Sequence, residues 1–157
     1  MINARAIGVV LLLAACGGGT ASAPAPAPVK SASGAVEGFM QAVADSNLAK
    51  MATLWGTSAG PAAKTGQPVD YARRIAIMQS YLRNENHRII SDSPDGSDAR
   101  HAVQVELQRE LCTWTVPFRV IKLADGNWLV NQVDLTAAGN PARPCDPNTV
   151  RDTPAEQ

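Results

Sequence analysis

The chain has 157 residues, with 14 basic and 14 acidic side chains and no formal net charge. That length leaves room for one small domain. A balanced charge without a regularly spaced basic stripe argues against a nucleic-acid partner, and no apolar run is long enough to span a bilayer.

Residues 1–15 read as a signal peptide. Arg5 supplies the positive charge of its first part, and Ala6 to Ala15 form an apolar run centred on Val9-Val10-Leu11-Leu12-Leu13. As a helix that run spans about 15 Å, half of a bilayer core. It ends in Leu13-Ala14-Ala15-Cys16, followed by Gly17-Gly18-Gly19. Leu-Ala-Ala-Cys resembles the lipobox of bacterial lipoproteins. In that family a diacylglyceryl group is joined to the cysteine sulfur and the peptide is cut before it, so the resemblance implies lipidation at Cys16 and a new N-terminus there. Two acyl chains then hold the protein to a membrane, where one would be marginal. Gly17, where an inner-membrane retention signal would place Asp, implies sorting to the periplasmic face of the outer membrane in a cell that has one. The alternative is an ordinary signal peptide with an incidental cysteine. Without Arg5, 13 basic residues face 14 acidic ones, a net of −1.

Residues 16–33 read as a tether. The Ala-Pro repeat at 23–28 favours extended polyproline II and lacks the apolar groups needed to pack. Residues 34–137 read as the folded domain. Val36, Phe39, Met40 and Val43 recur at helical spacing, with Ser33 as the expected N-cap. A second helix is expected from Leu48 to Trp55, ended by Gly56. Residues 57–68 read as a loop. A third helix is expected from about Val69 to Asn84, where Tyr71, Ile75, Met78 and Leu82 form one apolar stripe.

From His87 the period changes to two. Arg88-Ile89-Ile90 suggests a short strand, and Ser93-Pro94-Asp95-Gly96 a turn. Val103, Val105 and Leu107 alternate with Gln104, Glu106 and Gln108, as in a half-buried strand. Trp114, Val116, Phe118 and Val120 share a face of the next strand, in which Pro117 requires a bulge or a non-bonding position. Asp125-Gly126 marks a hairpin turn. In the last strand, 127–135, the apolar phase shifts between Val130 and Val133, so that it either bulges or is covered on both faces. Residues 138–157 read as a tail, disordered beyond about Val150.

Three cysteines are present. With Cys16 lipidated, Cys112 and Cys145 remain, and export favours a disulfide between them over free thiols. The loop of about 34 residues implies roughly 3–4 kcal/mol. Neither cysteine has a histidine or second cysteine at ligand spacing, so neither a metal nor another cofactor is expected.

The fold class is therefore α+β, with N-terminal helices packed on a curved antiparallel sheet. With Phe39-Met40, Leu54-Trp55-Gly56 and the hairpin from Phe118 to Val130, the domain resembles the nuclear transport factor 2-like, or cystatin-like, cone. The resemblance implies a sheet wrapped round the first helix, with a pocket at the open end. Some members are isomerases or dehydratases with an Asp or His base aimed into the cone; others bind ligands or serve envelope assemblies. Two readings follow. One is a non-enzymatic, membrane-anchored envelope lipoprotein that binds an envelope protein or a small apolar ligand through its cone. The alternative is a small isomerase- or dehydratase-like enzyme, with His101 and Asp134 as an acid–base pair and Tyr71 as hydrogen-bond donor. The first is preferred: no residue here matches a catalytic motif of the family, His101 stands near its strand start beside Asp98 and Arg100, where water would solvate it, and Tyr71 belongs to the core stripe.

Overall fold

A computed structural model describes residues 29–143, 145 and 146. The signal peptide, Cys16, the Ala-Pro repeat and the segment after Val150 lie outside the described residues. The carbonyl of Val29 accepts the main-chain N–H of Trp128 at 3.0 Å. Helix α1 follows, Ala32–Ala44. Its buried positions, Ala32, Ala35, Val36, Phe39, Met40 and Val43, repeat every three and four residues and form its core face. The cap is Ser31, not Ser33: its hydroxyl accepts from Gly34 N at 3.0 Å.

Asp45-Ser46-Asn47 ends α1 as expected. Ser46 takes a left-handed φ of 52°, and Asn47 caps helix α2, Leu48–Leu54, by accepting from Lys50 N at 2.9 Å. The stretch expected to be a loop holds more structure. Strands β1, Gly56–Thr57, and β2, Gly60–Pro61, pair as a small ribbon, and a helical turn α3, Ala62–Thr65, follows. Gly56 is required there, because a Cβ would stand 2.3 Å from the carbonyl oxygen of Gly60. Helix α4 is Tyr71–Leu82, shorter than expected at both ends, with Ile75, Met78 and Leu82 buried and Tyr71 at the margin.

The sheet has four antiparallel strands in the order β3-β4-β5-β6: Asn86–Ser97, Arg100–Arg109, Cys112–Lys122 and Trp128–Val133. The expected turn at Ser93-Pro94-Asp95-Gly96 is a correction. These residues continue β3, and the chain reverses after Ser97. An outer strand needs only half of its main-chain groups for the ladder, so Pro94 is tolerated there. The pairing of β3 with β4 slips between Ile89 and Ser91 and again between Pro94 and Ser97. Pro117 sits just beyond the last β5–β6 pair, Phe118 with Val133, and its carbonyl accepts from Asp134 N. The phase shift in β6 is a bulge at Asn131, since Val130 and Gln132 face Val120 and Arg119. The Asn131 amide donates to Gly56 O at 2.9 Å, and Trp55 bridges Val130. The outer edge of β6 is thereby covered, while among the described residues no strand pairs with that of β3. Leu135–Ala138 form a 3₁₀ turn rather than more strand.

One apolar layer joins helices to sheet. Phe39 meets Phe118 edge to face, with ring centroids 6.3 Å apart, and Val36, Met40, Met51, Val103, Val105 and Val116 surround them, all buried. Among the described residues no polar or charged side chain is buried. Arg109 closes the layer at the β4–β5 end. Its guanidinium donates to the carbonyls of Tyr81 and Ala138 and stacks 4.6 Å from the Trp114 ring centroid.

Candidate functional site

The space between the helices and the sheet is the first place to look for chemistry, and it is filled with hydrocarbon. Tyr71, His101 and Asp134 are not brought together there. His101 follows the inner row of Val103, Val105 and Leu107 and faces Val120 across the ladder. Val133 pairs with Phe118, so strand alternation turns Asp134 to the other face. The Asp134 carboxylate instead caps the 3₁₀ turn, accepting from Thr136 Oγ1 at 2.6 Å and Thr136 N at 3.0 Å. Those bonds hold its pKa below the usual carboxylate value. The His101–Asp134 pair of the alternative, enzymatic reading is therefore not formed. Tyr71 opens α4 and is partly buried against the core.

His101 has a different partner. Its Nδ1 lies 2.5 Å from Asp92 Oδ1, and its ring stands edge-on to Trp128 with centroids 4.8 Å apart. Its side chain is 21 % exposed, so the expectation of a solvated histidine is also corrected. Asp92 pairs with Val103 and Pro94 with His101, which makes Asp92 and His101 diagonal neighbours on one face. An ionised carboxylate only accepts, so Nδ1 carries the proton.

The second oxygen of Asp92 reaches α1. Oδ2 accepts from Ser33 N at 3.1 Å and from the Ser33 hydroxyl. A carboxylate here satisfies a first-turn N–H and meets the positive end of the helix dipole. The order Ser33–Asp92–His101 is not that of a nucleophilic triad, in which histidine stands between serine and acid and takes the serine proton. Ser33 donates to an acceptor that leaves its oxygen unactivated. The cluster thus fastens the start of α1 to the sheet.

Burial pushes the Asp92 carboxyl up, but the hydrogen bonds from Ser33 and His101 outweigh it, and the group stays ionised below its ordinary value of 3.8. A depressed carboxyl stabilises the fold fully above that ordinary value and loses its contribution as pH falls through the folded one. Asp92→Ala is expected to lose about 2 kcal/mol at pH 7, from charge-assisted bonds to two elements. Urea titrations between pH 7 and pH 3 check this: the gap between wild type and variant should narrow on the acid side. A gap independent of pH would mean that the charge contributes nothing.

A surface groove lies next to this cluster, where Val29 meets the β5–β6 turn. Its volume is about 420 Å³, and Leu54, Leu123, Trp128 and Leu129 contribute apolar wall. Lys64 and Asp125 stand at the rim. Asp125 accepts from Asn127 N and Nδ2, each at 2.9 Å, and these bonds, with Lys30 close by, keep it below the usual carboxylate value. Lys64 has no ion-pair partner among the described residues.

At the opposite end of the sheet Cys112 and Cys145 stand at disulfide distance, with Cα atoms 5.9 Å apart. Comparison of the chain with family models, curated proteins and solved structures returned no match. The reading of function therefore rests on this chain's own residues. Among the described residues no helix is long and apolar enough to cross a membrane. Sequence reasoning missed both Asp92 and the groove. Asp92 adjoins four residues that imitate a turn, and the groove is assembled from Val29, α2, α3 and the β5–β6 turn, which no local pattern connects.

Proposed function

We propose that this chain is a lipid-anchored envelope lipoprotein whose domain, of the nuclear transport factor 2-like kind, acts by binding rather than by catalysis. The observation that carries the second half is the helix–sheet interior, packed with apolar side chains. An acid–base site of the isomerase kind needs a titratable group held inside such a cone. The carboxylate beside His101 is instead engaged with Ser33 and sits at the rim. Among the surface clefts open to a ligand are the apolar groove beside Val29, smaller ones along α4, and one between Pro117 and Thr136.

The first half rests on Leu13-Ala14-Ala15-Cys16 and the Ala-Pro repeat behind it. In this reading the thiol of Cys16 carries the lipid, and the following residues hold the domain off the bilayer. Gly17 favours the outer membrane in a cell that has one. The partner is an envelope protein or a small apolar ligand.

Intact mass of the protein recovered from membranes tests the anchor. The mature chain should begin at Cys16 and carry acyl mass, and Cys16→Ser should move the protein out of the membrane fraction. A mature N-terminus elsewhere, or an unmodified Cys16, would overturn it.

A further inference from the structure

We propose that the groove beside Val29 binds a single-chain anionic amphiphile, an acyl chain ending in a carboxylate. The chain would lie along Leu54, Leu123, Trp128 and Leu129, with its head at Lys64. This deepens the binding reading above and rests on it.

Three observations point to that chemistry. The groove, at about 420 Å³, falls within the roughly 300–1,000 Å³ of small-molecule sites, and most of its exposed lining is apolar. A wholly apolar occupant would leave Lys64 without use. Its ammonium stands at the rim with no carboxylate of this chain beside it, among the described residues. Asp125, the acidic group of the rim, is already engaged by both nitrogens of Asn127 and has Lys30 nearby. The rim therefore complements an anion while the wall complements hydrocarbon.

The third observation is position. Val29 lines the groove, and its carbonyl is bonded to Trp128 N. Residues 1–28, which include Cys16, reach the domain at this point. Under the anchored reading, the groove lies at the domain end of the tether, on the side of the domain that the tether joins.

The test uses the full chain carrying Cys16→Ser, purified without detergent, and sodium dodecanoate below its micelle concentration. Calorimetry and Trp fluorescence should show saturable one-to-one binding. Dodecyltrimethylammonium, with the same chain and the opposite head charge, should bind at least tenfold more weakly, and acetate should not bind. Lys64→Glu should weaken dodecanoate at least tenfold. Ala63→Trp, which fills the groove from an exposed position, should abolish binding, with unchanged melting temperatures in both variants. No saturable dodecanoate binding, equal affinity for the two head groups, or full affinity in Lys64→Glu would each overturn the proposal. Because this form takes no lipid at position 16, its result is independent of the anchor. A mature protein without acyl mass would remove the anchored reading and leave this measurement standing.

Discussion

Phe118→Ala is expected to lose about 4 kcal/mol of folding stability, in the range for an aromatic ring removed from a core. The ring is 0 % exposed and lies midway along β5, between Val103 on one neighbouring strand and Val133 on the other. Phe39 of α1 meets its face or edge at a 72° interplanar angle. Removing it opens a void between the first helix and the sheet. The flanking valines have stiff χ1 angles and cannot swing in to fill it. Domains of this size are stable by only about 5–15 kcal/mol, so the loss is a large part of the whole. Urea denaturation at pH 7 gives the number, with Ile77→Ala on the exposed side of α4 as a control expected to change stability by less than about 0.5 kcal/mol. Phe39→Ala and the double variant complete a cycle, in which the edge-to-face contact should appear as a coupling of about 1 kcal/mol. A loss below about 1.5 kcal/mol in Phe118→Ala would mean that the layer is not the continuous core described.

Separating Cys112 from Cys145 should lower stability by about 4 kcal/mol, as expected for linking two positions separated by 33 residues. The link would join the start of β5 to the segment beyond the 3₁₀ turn, which otherwise returns to the sheet through Arg109 and a few turn contacts. Cys112 is 2 % exposed, so Cys112→Ala avoids burying a new hydroxyl; Cys145→Ser completes the pair. The double variant should match the wild type measured with reductant, and both should unfold at lower urea than the oxidised protein. Identical curves with and without reductant would exclude a stabilising cross-link.

The stripe of Tyr71, Ile75, Met78 and Leu82 and the alternation of Val103, Val105 and Leu107 were legible because amphipathic periodicity is a local property. Each element needs only its own buried face to announce itself. The hairpin at Asp125-Gly126 was legible for the same reason, since turn chemistry is carried by the turn residues. What was not legible depended on neighbours distant in the chain. Ser93-Pro94-Asp95-Gly96 has the composition of a turn, yet Ser93 and Pro94 stay in register with Ala102 and His101, and Gly96, with φ 76°, falls in the irregularity before Ser97 pairs with Arg100. Ser31 and Ser33 are equivalent candidates for a cap until Asp92, far along the sequence, takes Ser33. The bulge at Asn131 was one of two readings of the same phase shift, and its choice decided which way Asp134 points. The candidate site was the least legible part. Its apolar wall and its cation come from segments whose meeting is a property of the fold.

The outer margin of β3 gives the chain one more property. Among the described residues no strand pairs with the outer side of this twelve-residue element, a margin that would ordinarily invite a second copy to add a strand. Here two slips of register break the run and Pro94 withholds an N–H. A neighbouring copy finds no uninterrupted template. The irregularity that hid this strand in the sequence is thus also what keeps its margin from templating another strand.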